Sequence, residues 1–299
     1  MDKRQLGKTD MQVTRLGFGL SEIGAAELKD AHPAEVLNAA LDAGINFLDT
    51  AACYGLSEEL IGNAVSSRRE EYYLATKAGH VTGGYQGEEW SAATIRDSIE
   101  RSLRRLKTDV LDLVQLHSCS VEVLEQGEAI GALQQAQKEG KTRYIGYSGD
   151  NDAARWAVES KLFDTLQTSF NLVDQKARLG LLGAAKARGM GVIVKRPIAN
   201  SAWGADASPS DYADDYFERA RRMNAETPLQ GAPADRMALA LGFTLSHNEV
   251  DVAIVGTKTP KYMRSNVALL AQGIDLKDET LAELYSRFEV AGKDWPQLT

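Results

Sequence analysis

Cysteine is nearly absent. Only Cys53 and Cys119 occur among 299 residues, too few for a disulfide framework or a four-cysteine metal site. A reducing cytoplasm is the expected compartment. The two thiols could approach each other as a redox pair, or act as the small buried hydrophobes that free cysteines usually are. There are four histidines, with no His-x-x-x-His or Glu-x-x-His pair, so no metal site is expected. His32, His80 and His247 fall near loops or helix ends, where they are expected to be solvated. No apolar run approaches the roughly 18 residues that a membrane span needs. Met1-Asp2-Lys3-Arg4 leads into polar sequence, which predicts no secretory signal. Basic residues are outnumbered, 34 against 42 acidic, for a net charge of -8. That balance argues against nucleic acid or an anionic membrane as partner, while leaving room for a small local phosphate site. It says nothing specific about self-association, so the oligomeric state stays open.

Repeats, low-complexity tracts and domain linkers are also missing, so residues 1–299 are expected to form a single domain. Apolar residues make up 43% and charged residues 25%, average soluble usage that supplies a large core. Gln5-Leu6 and Gln12-Val13 flank a Gly-Lys-Thr-Asp turn, predicting an N-terminal hairpin, and a first inward strand spans Arg15 to Gly19. From Pro33 onward strands and helices alternate. Strands are predicted at 45–48, 72–76, 110–116, 142–147, 165–168, 191–195 and 251–255. Helices are predicted from Pro33 to Gly44, at 57–66 with Ser57 as N-cap, at 91–106 capped by Ser91, over most of 121–139, at 151–160 and 176–188, and from Pro260 after Thr259. Eight strands separated by helices predict a (β/α)8 barrel, with an open doubly wound sheet as the alternative. Residues 200–233, with three of the seven prolines, form a long loop after the seventh strand, and residues 277–299, with Trp295-Pro296 near their end, follow the last barrel helix. Loops of this kind on a rigid scaffold often bind ligands.

In a parallel barrel the C-terminal strand ends meet at one face, where such barrels carry their active sites. Asp49 follows the second strand, Lys77 the third and His117 the fourth. Ser148 follows the fifth, Gln167 ends the sixth, Lys195 ends the seventh and Gly256-Thr257-Lys258 follow the eighth. Tyr54 lies five residues past Asp49. Taken alone, Asp49 could be a turn cap and Tyr54 an ordinary half-buried aromatic. Together with Lys77 and His117 they suggest acid chemistry. An ammonium beside a phenol stabilises the phenolate and eases proton donation, and Asp49 would hold that ammonium in place. His117 can donate to a carbonyl oxygen and orient it. No side chain here is an obvious hydride source, so the other reactant must be a cofactor.

These segments resemble the active-site signature of the aldo-keto reductases. The resemblance rests on Asp49-Thr50-Ala51 with Tyr54-Gly55, Ala75-Thr76-Lys77, and Asp109-Val110-Leu111-Asp112-Leu113-Val114-Gln115-Leu116-His117. It continues through Gly146-Tyr147-Ser148, Gln167 before Asn171, and Ile254 to Pro260 with Asn266. It implies a (β/α)8 barrel that binds NADPH or NADH and reduces carbonyls, or oxidises alcohols in reverse, acting on a small molecule. Tyr54 would be the general acid, supported by Asp49, Lys77 and His117. Ser148 and Gln167 would hold the nicotinamide amide. Gly256, Thr257 and Lys258 would meet the adenosine phosphates at a helix N-terminus.

Three departures from the family pattern stand out. Gly149 replaces the usual Asn, so Asp150 or Asn151 would take over that contact or it would be lost. Lys195-Arg196-Pro197 replaces a Tyr-Ser-Pro sequence, placing Arg196 or Lys195 against the nicotinamide or pyrophosphate. Tyr262 stands where a phosphate-binding Arg is frequent, although Lys258 and Arg264 are close in sequence and favour NADP over NAD. Trp203, Tyr212, Tyr216, Phe217, Tyr85 and Trp90 could line a substrate pocket or simply pack. A nucleotide-binding regulatory barrel with little turnover is the alternative function. A barrel enzyme using Lys77 as a Schiff-base nucleophile is more distant.

Overall fold

The computed structural model describes residues 1–24 and 32–298. The chain opens with an antiparallel hairpin, β1 (Lys3–Gln5) and β2 (Gln12–Thr14), followed by β3 (Leu16–Gly19). Next come α1 (Pro33–Asp42), β4 (Phe47–Asp49), α2 (Ser57–Val65), β5 (Tyr73–Ala78) and α3 (Ala92–Leu106). β6 (Leu111–His117), α4 (Val121–Gln126), α5 (Glu128–Lys138), β7 (Thr142–Ser148) and α6 (Asn151–Ser160) continue the alternation. β8 (Thr165–Ser169), α7 (Leu181–Ala187) and β9 (Gly191–Lys195) precede the long connection, which carries α8 (Asp214–Arg222). The chain finishes with α9 (Arg236–Leu245), β10 (Val252–Val255), α10 (Pro260–Gln272) and α11 (Asp278–Ala291).

β3 to β10 form a closed barrel in which β10 pairs in parallel with both β3 and β9. This is the (β/α)8 architecture expected from the alternation, with the hairpin ahead of it. No helix among the described residues is long and apolar enough to cross a membrane. The helices cover the barrel with the stripes their spacing dictates: Ile95, Ile99, Leu103 and Leu106 of α3 are all buried, and the Ser91 hydroxyl caps this helix by accepting from the Thr94 amide. Two local expectations fail. Ser57 is the first residue of α2 rather than its cap, because its hydroxyl is buried and donates to the Leu20 carbonyl. The mostly helical stretch expected over 121–139 forms as α4 and α5, divided at Gly127, whose φ of 75° suits the left-handed C-cap of α4. The helix expected over 176–188 becomes a 3-10 turn and α7, separated at Gly180.

Side chains two apart on a strand share a face, and this parity builds the site. One inner layer is apolar: Phe47, Ala75, Leu113, Ile193, Val252 and Ile254 cluster with Leu6, Met11 and Val13 of the hairpin region, which closes that end. Two residues further along the strands the layer turns polar, with Asp49 after Phe47, Lys77 after Ala75, Gln115 after Leu113 and Lys195 after Ile193. Register aligns Lys77 with Gln115, His117 with Ser148, and Ser148 with Gln167. A polar ring thus rests on an apolar plug.

Candidate active site

Asp49 is the hub of this ring. Its Oδ2 accepts from Lys77 Nζ at 2.6 Å and its Oδ1 from Gln167 Nε2 at 2.8 Å. Lys77 also donates to the Thr50 carbonyl at 2.9 Å, and the Ser148 hydroxyl donates to Gln167 Oε1 at 2.9 Å. All four side chains are buried, so each of these polar groups needs such partners. The Lys77 ammonium lies 4.9 Å from the centre of the half-buried Tyr54 ring. Tyr54 sits on a tight loop: its amide donates to Ala51 O, and Gly55 follows with φ 53°. A side chain there would be strained and would meet the Gly24 carbonyl at 2.3 Å, so the turn behind the phenol requires glycine. His117 packs edge-on to Tyr54, with ring centres 5.6 Å apart.

Electrostatics sets the resting protonation states. Burial lowers the Lys77 ammonium, but Asp49 and Tyr54 outweigh it and the net shift is upward, so the lysine stays charged. Burial raises the Tyr54 hydroxyl, and Lys77 only partly opposes this. The cost of burying a phenolate exceeds the help of the ammonium, so the resting hydroxyl is less acidic than the pairing with Lys77 alone suggests. Burial, reinforced by Lys77, lowers His117 to about 2, so its ring is neutral. The set therefore rests as phenol, ammonium and neutral imidazole. It can give up a proton from Tyr54 and keep a cation beside the oxyanion left behind.

Asp49, Tyr54, Lys77, His117, Ser148 and Gln167 are brought together by these contacts. Lys195 and Arg196, on the far side of the ring, are held elsewhere. Lys195 pairs with buried Asp150 at 2.8 Å, while Arg196 reaches the Tyr212 hydroxyl at 2.8 Å and the Leu298 carbonyl at 2.6 Å. Pro197 is buried, and its carbonyl accepts from Thr244 Oγ1. Asp150 also accepts from the Ser169 amide and from Gln297, and Asn151 exchanges hydrogen bonds with Gln297. Both residues, candidates to replace the missing Asn, are thus tied to the C-terminal tail. A Cβ on Gly149 would come within 2.5 Å of the Tyr147 hydroxyl, which donates to Cys119 O at 2.7 Å; Tyr147 fills that space.

Gly256 follows β10 and comes close to Gly19, while buried Thr257 accepts from the Thr259 amide. No side chain caps the first turn of α10, so its free N–H groups can receive an anion. Lys258 and Arg264 are exposed beside it, and Asn266 is buried on the same helix. This donor set fits a nucleotide phosphate. Among the described residues no cluster of His, Cys, Asp or Glu could hold a metal ion.

Other expectations need revision. His32 is exposed, but His247 is buried, bonded to Phe243 O and Tyr285, and His80 packs 5.2 Å from His117 while pairing with Glu89 at 3.2 Å. Trp203 and Tyr216 belong to the core, Phe217 packs against it, and Tyr212 is exposed on Arg196. Tyr85 donates to Asp97, and Trp90 packs on His80. The C-terminal segment stood out in the sequence, but its contacts did not: Gln297 reaches Asp150, Thr168 and Ser169 across a separation of 147 residues to Asp150.

The tail also meets Asp174, which accepts from the Leu298 amide at 2.9 Å. Burial pushes this carboxyl up to about 7, against the downward pull of that amide and Arg219. An unfolded aspartate titrates near ~3.9. Between these values the folded chain keeps a proton that the unfolded chain has lost, so stability falls as pH rises, by about 1.4 kcal/mol per pH unit. Asn mimics the protonated form. Urea midpoints of wild type and Asp174→Asn should lie closer at pH 5 than at pH 7, with the variant more stable at pH 7; a constant separation contradicts this.

A closed parallel barrel with a charged lysine under a phenol at its C-terminal face defines a barrel oxidoreductase that works on carbonyl groups. The comparisons give the particular family: residues 15–286 match the aldo/keto reductase family, and the chain belongs to it. L-galactose dehydrogenase of Arabidopsis thaliana is 29% identical over 99% of this chain and 97% of that protein. A Schizosaccharomyces pombe protein named aldo-keto reductase yakc [NADP(+)] is 28% identical over 98% and 94% of the two chains. Among solved structures, aldo-keto reductase AKR11C1 from Bacillus halodurans, in its holo form, superposes with a TM-score of 0.79 at 27% identity, covering 96% of both chains.

Proposed function

We propose that this chain reduces an aldehyde or ketone to the alcohol with NADPH, and that Tyr54 delivers the proton. The observation that carries this reading is the buried Asp49–Lys77 pair with its ammonium 4.9 Å from the Tyr54 ring centre. When bound, the nicotinamide supplies the hydride to the carbonyl carbon. Tyr54 breaks its O–H bond and protonates the carbonyl oxygen, leaving a phenolate that Lys77 stabilises. Asp49 keeps Lys77 charged and fixed. His117, neutral, donates a hydrogen bond to the same oxygen and orients it.

Ser148 and Gln167 hold the nicotinamide amide. Arg196, or Lys195 beside it, would hold the nicotinamide or pyrophosphate by exchanging its present contacts with Tyr212 and Leu298, or with Asp150, and Pro197 would shape that edge. Gly256, Thr257, Lys258, Arg264 and Asn266 bind the adenosine end. We favour NADP over NAD because Lys258 and Arg264, both exposed, stand near the open first turn of α10, which itself carries exposed Lys261, and the yakc relative carries NADP(+) in its name. Two free thiols support a cytoplasmic location, and residues 1–299 act as one domain. No observation favours the regulatory-barrel alternative.

Replacing both Lys258 and Arg264 with Ala tests the cofactor choice. Each lost charged contact is worth about 1.5–3 kcal/mol. The Kd for NADPH should rise by at least about tenfold while that for NADH changes little; equal changes for both overturn the assignment.

A further inference from the structure

Among the described residues, the one hydrogen bond to the His117 ring involves the residue just before Tyr54. Cys53 Sγ lies 3.2 Å from His117 Nδ1. The ring's remaining neighbours touch it without hydrogen bonds: Tyr54 edge-on, and His80 at 5.2 Å between ring centres. A neutral imidazole carries one proton, and the partner of one nitrogen decides whether the other holds it. A thiol is a weak donor and a weak acceptor, whereas an unprotonated imidazole nitrogen is a far stronger acceptor than sulfur. Facing an imidazole nitrogen, the favourable arrangement is therefore S–H donating to Nδ1.

We propose that Cys53 is a positioning residue that fixes His117 as the Nε2–H tautomer, so that the ring offers a donor rather than a lone pair to the carbonyl oxygen. The inference rests on the reading of His117 given above. A thiolate–imidazolium pair, which would make Cys53 a nucleophile, is disfavoured from both sides. Burial raises the thiol and lowers the imidazole, so both groups stay neutral. The assignment also gives Cys53 a reason to be half-buried beside the site rather than in the core, where Cys119 lies.

The test is nitrogen-15 NMR of histidine-labelled full-length protein without substrate, which reads the tautomer independently of turnover. Wild type should show His117 protonated at Nε2 alone, Cys53→Ala should show both tautomers in exchange, and Cys53→Ser, which keeps a donor, should return to the single form. In parallel, kcat of Cys53→Ala should fall roughly tenfold with KM little changed, the size expected for one neutral hydrogen bond. A wild-type ring protonated at Nδ1, or a Cys53→Ala spectrum identical to wild type, overturns the proposal. Wild type alone decides the first point if the alanine variant fails to fold. Because the spectrum needs no reaction, this failure is distinct from a failure of the Tyr54 assignment.

Discussion

Tyr54→Phe should lower kcat for carbonyl reduction by about 10²–10⁴-fold, the usual contribution of a positioned general acid, while leaving the Kd for NADPH unchanged. The expectation follows from the resting states of the site. Burial keeps Tyr54 protonated between turnovers, and the charged Lys77 beside its ring lowers the energy of the phenolate that forms only as the proton leaves. Phenylalanine preserves the ring, its edge-on contact with His117 and the packing of the loop, and deletes only the donor. Steady-state kinetics with separate cofactor titration checks this. A loss below tenfold would mean that the proton comes from another group.

Asp49→Asn should cost about 3–5 kcal/mol of folding stability, the range for breaking a buried ion pair by removing one partner. The chemistry of the replacement explains why so small a change is severe. Asp49 accepts from Lys77 at one oxygen and from Gln167 at the other. Asparagine has a single acceptor oxygen, so one of these donors must face an NH2 group. The ammonium, enclosed and without its counter-charge, is left uncompensated. The urea midpoint should fall with the m-value unchanged, and the Asp49→Asn/Lys77→Met double variant should recover part of the loss by deleting the stranded charge. A shift under about 1 kcal/mol, the range of exposed pairs, would contradict a tightly buried pair.

The barrel was legible because strand and helix periodicity are local properties: every expected strand forms within a few residues of its predicted position. The polar ring was legible for a related reason, since an apolar strand that ends abruptly in Asp49, Lys77 or His117 marks a strand end in any parallel barrel. Contacts between distant segments were not. Nothing near Gln297 signals that it completes the shell of Asp150, and nothing near Cys53 signals His117. His247 reads as a polar residue after a helix, and only the folded chain brings the Phe243 carbonyl and the Tyr285 hydroxyl to its ring. The direction of the Tyr54 shift also depends on burial, which spacing does not report. The break at Gly180 was visible as a residue, but the apolar pattern on either side outweighed one glycine.

The most direct test of the account is NADPH and NADH consumption by the wild-type protein with a panel of reactive aldehydes. The account predicts turnover with at least one of them, faster with NADPH. Nucleotide binding without turnover on any aldehyde would contradict it, and would leave the barrel as a nucleotide-binding protein.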